Sequence, residues 1–337
     1  MSPGCDPQPK SRRNWGAGLI FTLALALAPR LSGGTDTNGQ TRVTLLPHWI
    51  PQAQFAGYYV AAEMGLYREQ GLEVVILDGG PRRPVDRALR SGETMFATHF
   101  LSSALKLRDA GLPLVHLAQI TQRSALMLVA HKSHGIESVT DLDGKKVSLW
   151  PGFSVQPQAL FRKYNLHVKT ITQGATINPF MRGGVDAASA MWYNEYHLFL
   201  NSGLDADEVT LIFFDQHDLN FPEDGLYCVA ETARRQPELC RRFVRATLAG
   251  WHYVFAHMDQ SLEIVMRRAA QAHTGTNRPH QRWMLERMRD LIQPIDPTVR
   301  LGELSPKAYE RVATELKRFG EIQSAPPYEQ FHVPLLD

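Results

Sequence analysis

Residues 43–77 read VTLLPHWIPQAQFAGYYVAAEMGLYREQGLEVVIL. Val43-Thr44-Leu45-Leu46 is a short buried strand that runs into Trp49-Ile50-Pro51. Gln54 to Met64 reads as a helix, and Gly65 stands where a left-handed residue closes one. Leu72 to Leu77 is a second apolar, β-branched run, broken by Gly79-Gly80-Pro81. Strand, capped helix and strand in succession predict an α/β unit with a mostly parallel sheet.

The alternation continues outward. Val85 to Ser91 reads as a helix, Thr94 to Ala97 as a strand, Leu101 to Ala110 as a helix and Leu114 to Ile120 as a strand. A second unit starts at Ala125 to Val129. It continues through a helical turn at Ser138 to Leu142, a strand at Val147 to Leu149, a helix at Val155 to Tyr164, and strands at Val168 to Thr172, Ala187 to Ala190 and Thr210 to Phe214. The chain returns through Leu226 to Ala230 and then turns helical over Pro237 to His257, Ser261 to His273, Pro279 to Ile292 and Ser305 to Phe319. Ser305 is placed to cap the last of these, with Pro306 in its first turn. No internal repeat is visible in the sequence. Two α/β units joined by crossing strands, with a tail that completes the first, predict a two-lobed clamshell whose ligand lies in the cleft. The expected division is 1–40 leader and linker, 41–122 first part of lobe 1, 123–218 lobe 2, and 219–337 return strand and helical tail.

Charge narrows the class of partner. Lysine and arginine number 36 against 34 acidic residues, a formal charge of +2 over 337 residues. No block of like charge offers a nucleic-acid footprint. Lys10, Arg12 and Arg13 precede an apolar run from Trp15 to Ala28, and Ala24-Leu25-Ala26 has the small residues a signal peptidase reads. That run of about fourteen residues is short of the roughly 20 that span a bilayer. The expectation is an exported, periplasmic chain. Removal of the leader would leave Cys228 and Cys240, which are expected as buried thiols rather than a disulfide framework. No Cys/His cluster has metal-ligand spacing.

A specific resemblance is carried by Trp49-Ile50-Pro51-Gln52-Ala53-Gln54-Phe55-Ala56-Gly57-Tyr58-Tyr59-Val60-Ala61, then Gly65-Leu66-Tyr67 and Glu69-Gln70-Gly71-Leu72-Glu73-Val74. Asp141-Leu142-Asp143-Gly144-Lys145-Lys146-Val147, Gly184-Val185-Asp186-Ala187 and Met191-Trp192-Tyr193-Asn194-Glu195 agree with it. The chain resembles the periplasmic binding proteins that share a domain with thiamine-pyrimidine synthases. The resemblance implies a type II periplasmic-binding-protein fold and a monomer that serves the permease and ATPase subunits of an ABC importer. Relatives of this kind take up thiamine-pyrimidine precursors, flavins or sulfonates. The enzymatic branch uses a lysine, a histidine, a lysine-bearing phosphate loop and a cysteine cluster. Here Thr98 and Ser102 stand at the first two positions, Pro151-Gly152-Phe153-Ser154-Val155 lacks the lysine, and Cys228 is the one cysteine between Asp218 and Val229. Threonine cannot form a Schiff base, so neither synthase activity nor a cofactor is expected. A sulfonate site would draw on Ser102, Ser103 and Arg123.

The candidate site is aromatic, at loops where strands end: Trp49, Tyr58, Phe100, Trp150, Phe153, Trp192 and Tyr193. A planar heterocycle would stack on Trp49 and Trp192, at roughly 1–3 kcal/mol per stacked ring. Glu195 either accepts from an aminopyrimidine edge or faces the dipole of its own helix. Asp224 is a ligand contact or a turn residue, and Gln54 a ligand contact or a surface residue. Asn194 is taken as a helix cap, and His48 and His99 as structural histidines.

Overall fold

The computed structural model describes residues 39–294 and 299–336. The leader reading falls almost wholly outside them. Among the described residues, ten strands form two five-stranded sheets. The first contains β1 (Thr41–Leu46), β2 (Leu72–Ile76), β3 (Phe96–Phe100) and β4 (Leu114–Gln119). The second contains β5 (Leu126–His131), β6 (Lys146–Leu149), β7 (Lys169–Thr172), β8 (Ala187–Met191) and β9 (Val209–Phe213). The last strand, β10 (Asp224–Val229), returns to the first sheet.

The sheets run β2-β1-β3-β10-β4 and β7-β6-β8-β5-β9. Each has four strands in one direction and one antiparallel strand, β10 between β3 and β4, and β5 between β8 and β9. Exchanging β1 for β6, β2 for β7 and so on turns one order into the other. The lobes are thus a topological repeat that the sequence does not display. Crossovers between parallel strands are nearly always right-handed and connections are short, which leaves few strand orders open to a five-stranded sheet.

Register places the chemistry. Leu45 lies opposite Phe96 where β1 meets β3, and Asp224 opens β10 opposite Phe100. The carboxyl ends of the parallel strands and the first residue of the returning strand therefore share one rim, where open α/β sheets bind ligands.

Several boundaries differ from the sequence reading. The expected Gln54–Met64 helix starts as a 3-10 turn, Ala53–Phe55, and continues as Ala56–Glu63. Gly65 follows in the left-handed region (φ 81°), and a further short helix, Leu66–Glu69, begins there. The third strand is Phe96–Phe100, not Thr94–Ala97. Thr94 hydrogen-bonds through Oγ1 to the carbonyls of Thr44 (3.2 Å) and Phe96 (2.7 Å), while the pairing that defines the strand runs on to Phe100 against β10. Helices Asn178–Met181, Ala230–Arg235 and Tyr328–Phe331 were not legible as separate elements.

The tail comprises the helices Pro237–Ala256, Met258–Gln271, Arg278–Ile292 and Pro306–Arg318. On the first of these helices Phe243, Trp251 and Val254 are fully buried. This helix lies on Ala56–Glu63 at glycine contact distance. A Cβ on Gly250 would stand 2.2 Å from the Gly57 carbonyl oxygen, and one on Gly57 would stand 2.4 Å from the Trp251 ring. Cys228 and Cys240, on β10 and on this helix, are free and buried, as expected.

Candidate ligand site between the lobes

Two segments cross between the sheets, around 120–125 and 219–223, and they are bonded to each other. The backbone N–H groups of Ile120 and Thr121 donate to the Asp224 carbonyl (3.0 and 2.9 Å), and Glu223 N–H donates to Thr121 (3.1 Å). Arg123 joins Asp215 through Nε and Nη2 (2.9 and 2.7 Å). Glu223 Oε1 accepts from the backbone of Ala125 and Leu126 (2.6 and 2.9 Å), which ties the start of β5 to the return crossing.

Beside these crossings lies a narrow recess, with room for little more than a water molecule, lined from both halves of the molecule. Phe100 and Ser102 come from the first sheet's side, Gly152, Phe153 and Met191 from the second, Phe221 and Glu223 from the return crossing, and Leu316 from the tail. Phe100 and Phe153 meet edge to face, with centroids 5.2 Å apart and planes at 86°. Aromatic walls with one carboxyl group suit a flat guest with a polar edge.

Phe100 also packs on His48 (4.8 Å), which leads into a buried polar floor. His48 donates its backbone N–H to Thr98 Oγ1 (3.0 Å) and shares a second hydrogen bond with that hydroxyl through Nδ1 (3.0 Å). The same Nδ1 stands 3.5 Å from Asp224 Oδ1. Gln52 Nε2 donates to Gln54 Oε1 (2.6 Å), and Gln54 Nε2 donates to Asp224 Oδ2 (2.8 Å). Among the described residues, Asp224 Oδ1, the Tyr58 hydroxyl and His99 Nδ1 are buried without a hydrogen-bond partner. Buried polar atoms are nearly always paired, so this floor is short of donors and acceptors.

Burial sets the protonation of the floor. Desolvation pushes Asp224 up to about 7 against the donation from Gln54. It pushes Glu223 up to about 8, helped by the neighbouring Asp224 and opposed by the Leu126 and Ala125 N–H groups. Burial drives His48 and His99 down to about 3, so both rings are neutral at ordinary pH. The phenol of Tyr193, from the second lobe, is raised by burial and then by Glu223, Asp224 and Glu195. Two desolvated carboxyl groups side by side favour an incoming N–H donor or cation.

The anticipated site residues divide. Gln54, Tyr58, Phe100, Phe153, Tyr193 and Asp224 gather at the floor or the recess. Trp49 is 40% exposed and does not line the recess. Trp192 does not line it either: its ring meets Phe213 edge-on (5.4 Å) and lies under the Arg287 guanidinium (4.9 Å). Trp150 donates to the Gly174 carbonyl (3.4 Å) within the second lobe. Glu195 opens the helix Glu195–Asn201, accepting the Met191 N–H on Oε2 (3.0 Å) and Asn194 Nδ2 on Oε1 (2.7 Å). Both its oxygens therefore serve its own turn, and burial raises its pKa despite those donors. Gln54 is buried rather than a surface residue. His48, read as merely structural, is the floor's link between Thr98 and Asp224. A histidine's partners across the fold leave no trace in its sequence neighbours.

The family model described as NMT1/THI5 like matches residues 52–261. The chain belongs to the NMT1/THI5-like family. Among curated relatives, riboflavin-binding protein RibY of Chloroflexus aurantiacus is 28% identical over 277 residues, covering 76% of this chain and 77% of that one. The formylaminopyrimidine-binding protein of Halalkalibacterium halodurans is 23% identical over 270 residues, covering 76% and 79%. Further matches include 4-amino-5-hydroxymethyl-2-methylpyrimidine phosphate synthases of Legionella pneumophila, Saccharomyces cerevisiae and Aspergillus parasiticus at 22–23% identity. Among solved structures, the periplasmic aliphatic sulphonate binding protein SsuA from Escherichia coli superposes with a TM-score of 0.67 at 16% identity, covering 86% of this chain and 91% of that one. The family member described here thus has the periplasmic-binding-protein fold, and its relatives include proteins that bind small solutes.

Proposed function

We propose that the chain is an exported receptor that closes two lobes, divided as 41–122, 123–218 and 219–337, over a flat nitrogen heterocycle. It would deliver that ligand to the permease and ATPase of an ABC importer. The observation that carries this reading is Asp224, whose buried carboxyl group has one oxygen held by Gln54 and the other without a hydrogen-bond partner among the described residues. It stands at the rim behind Phe100, which walls the recess. An aromatic guest with N–H donors on one edge satisfies both features. The relatives named for riboflavin and formylaminopyrimidine bind guests of that kind. The apolar run before residue 29 supports export, and among the described residues no helix is long and apolar enough to cross a membrane.

A sulfonate guest is disfavoured because, among the described residues, no lysine or arginine lines the recess. Arg123 is committed to Asp215 through two short contacts, and the recess presents Glu223 rather than a cation. Synthase chemistry is disfavoured by Thr98, whose hydroxyl is held by His48 where the enzymatic branch places its lysine. The test is a thermal-shift and calorimetric titration with riboflavin, a formylaminopyrimidine and methanesulfonate. Stabilisation by either heterocycle, lost in Asp224→Asn, is expected. Stabilisation by methanesulfonate alone would reverse the reading.

A further inference from the structure

Glu223 is the carboxyl group that lines the recess itself, on the return crossing between the lobes. Its backbone is fixed from both sides. Its N–H donates to the Thr121 carbonyl (3.1 Å), and its own carbonyl accepts the Leu101 N–H (3.1 Å) and Gln119 Nε2 (3.1 Å). Glu223 is 5% exposed, and among the described residues the hydrogen bonds to its carboxyl group all reach one oxygen. Oε1 accepts the Ala125 and Leu126 N–H groups (2.6 and 2.9 Å), with the Ser124 hydroxyl at 3.3 Å. Oε2 is the atom left for a guest.

We propose that Glu223 is a specificity-determining residue, which carries a proton on Oε2 and donates it to a neutral acceptor of the guest, a carbonyl oxygen or an unprotonated ring nitrogen. This rests on the receptor reading and deepens it: the guest is a flat heterocycle with N–H donors for Asp224 and an acceptor for Glu223.

The position of the proton follows from the donors around it. Two backbone N–H groups together use both in-plane lone pairs of Oε1. The Ser124 hydroxyl stands 3.3 Å from Glu223 Oε1, 3.3 Å from Gln156 Oε1 and 3.5 Å from the Leu126 carbonyl, and a bond to any of these leaves Glu223 Oε1 an acceptor. A proton on this carboxyl group is therefore on Oε2. The recess holds little more than a water molecule, so a guest reaches Oε2 when the lobes part.

The charges around Glu223 do not favour its ionised form. On its own strand its neighbour is Asp224, a second carboxyl group. From the second lobe come Gln156, the neutral phenol of Tyr193 and, beyond that phenol, Glu195. From the first lobe come Phe100 and Ser102, and from the tail Leu316, whose neighbour Glu315 is joined to Arg162 (3.1 Å) and Arg318. Arg123 of the first crossing is joined to Asp215. Burial, opposed by the Leu126 N–H and helped by Asp224, raises the Glu223 pKa to about 8. Of two adjacent carboxyl groups, a charge on one keeps the proton on the other. The lower value, about 7, puts the charge on Asp224. An anionic acceptor would meet that charge, and a neutral one does not. Above about pH 8 Glu223 ionises, and a carboxylate then faces the guest's acceptor.

The test is a calorimetric titration of the full chain with riboflavin and a formylaminopyrimidine at pH 7, 8 and 9. Above pH 8 the wild-type dissociation constant is expected to rise by up to about tenfold per pH unit as one proton is lost. Glutamine keeps an oxygen for the two backbone N–H groups and a donor in place of Oε2 without a titrating group. Glu223→Gln is therefore expected to bind with no such rise. A folded variant that follows the wild-type profile, or no longer binds, overturns the proposal and leaves the receptor reading standing. No binding of either heterocycle to wild type overturns both. Infrared spectra of the ligand-free protein at pH 6.5 and 9.5 read the proton directly. Wild type is expected to lose more protonated-carboxyl absorbance than Glu223→Gln, and equal losses overturn the proposal. Should circular dichroism show Glu223→Gln to be misfolded, Asp224→Asn takes its place in the infrared measurement. The protonated-carboxyl band is then expected to persist at pH 6.5, and its loss overturns the proposal.

Discussion

His280 and Gln281 are consecutive in the chain and hold opposite lobes. His280 bonds Asn194 in the second lobe at 2.8 Å, and Gln281 accepts the Ala53 N–H in the first at 2.6 Å. Successive helix residues point about 100° apart, so one helix can reach two walls of a cleft. Ala53 lies between Gln52 and Gln54, and Gln54 bonds Asp224, so Gln281 supports the polar floor from behind.

Replacing Gln281 with leucine leaves the buried Ala53 N–H without its acceptor. The expected loss is roughly 1–3 kcal/mol, the cost of a stranded buried donor. Urea unfolding of the ligand-free protein measures it, and an unchanged midpoint would show that Ala53 finds another acceptor.

Asp224→Asn should separate binding from stability. Asparagine keeps an oxygen for Gln54 but removes a carboxylate that burial disfavours, so the melting temperature should hold or rise. Affinity for a heterocycle with N–H donors should fall at least tenfold, since a charge-assisted bond is lost. Calorimetry beside a thermal melt reads both; equal affinity would place the ligand elsewhere.

Glu195→Gln should cost stability first. Both carboxylate oxygens accept within the turn, from Met191 N–H and Asn194 Nδ2. An amide offers one acceptor and turns its NH2 toward the other donor, for an expected loss of about 1–2 kcal/mol. A chemical melt with no shift would mean that the turn is held by other contacts.

Gly250→Ala should be among the most damaging small substitutions. The added Cβ would stand 2.2 Å from the Gly57 oxygen and 2.8 Å from Ala61 Cβ, so two helices must separate. Overpacking of this kind costs about 1–3 kcal/mol or more. Retention of the wild-type melting temperature would show the helix pair to be more compliant than its packing indicates.

Stability of the ligand-free protein should peak near mildly acidic pH. Asp224 and Glu223 have folded values of about 7 and 8, above their unfolded values of about 4, so their contribution falls as pH rises through that interval. His48 and His99 have folded values of about 3, below about 6.5 unfolded, so their contribution falls as pH drops from 6.5 toward 3. A melting series from pH 4 to 9 checks it; a flat profile would mean that the floor is solvated.

The sequence by itself determined the alternation of short apolar strands and glycine-stopped helices, the helical tail and, through the Trp49–Val74 motif, the family. Those are local properties, because strand and helix periods and left-handed stops are written within a few residues of one another. It also singled out Phe100 and Asp224, which stand at the ends of paired strands on the rim of an α/β sheet, whereas Gln54 and Tyr58, the latter read at a strand end, lie in the turn and helix that follow β1. Only the tertiary structure decided that Trp49 and Trp192 lie away from the recess, that Glu195 is spent on its own turn, and that His48 and Asp224 meet across 176 positions (224 minus 48) at 3.5 Å. It likewise decided that a helix near residue 280 closes on both lobes. The physical reason is the same in each case: a side chain's hydrogen-bond partner and its burial depend on what packs across the fold, and neighbours along the chain carry no record of it.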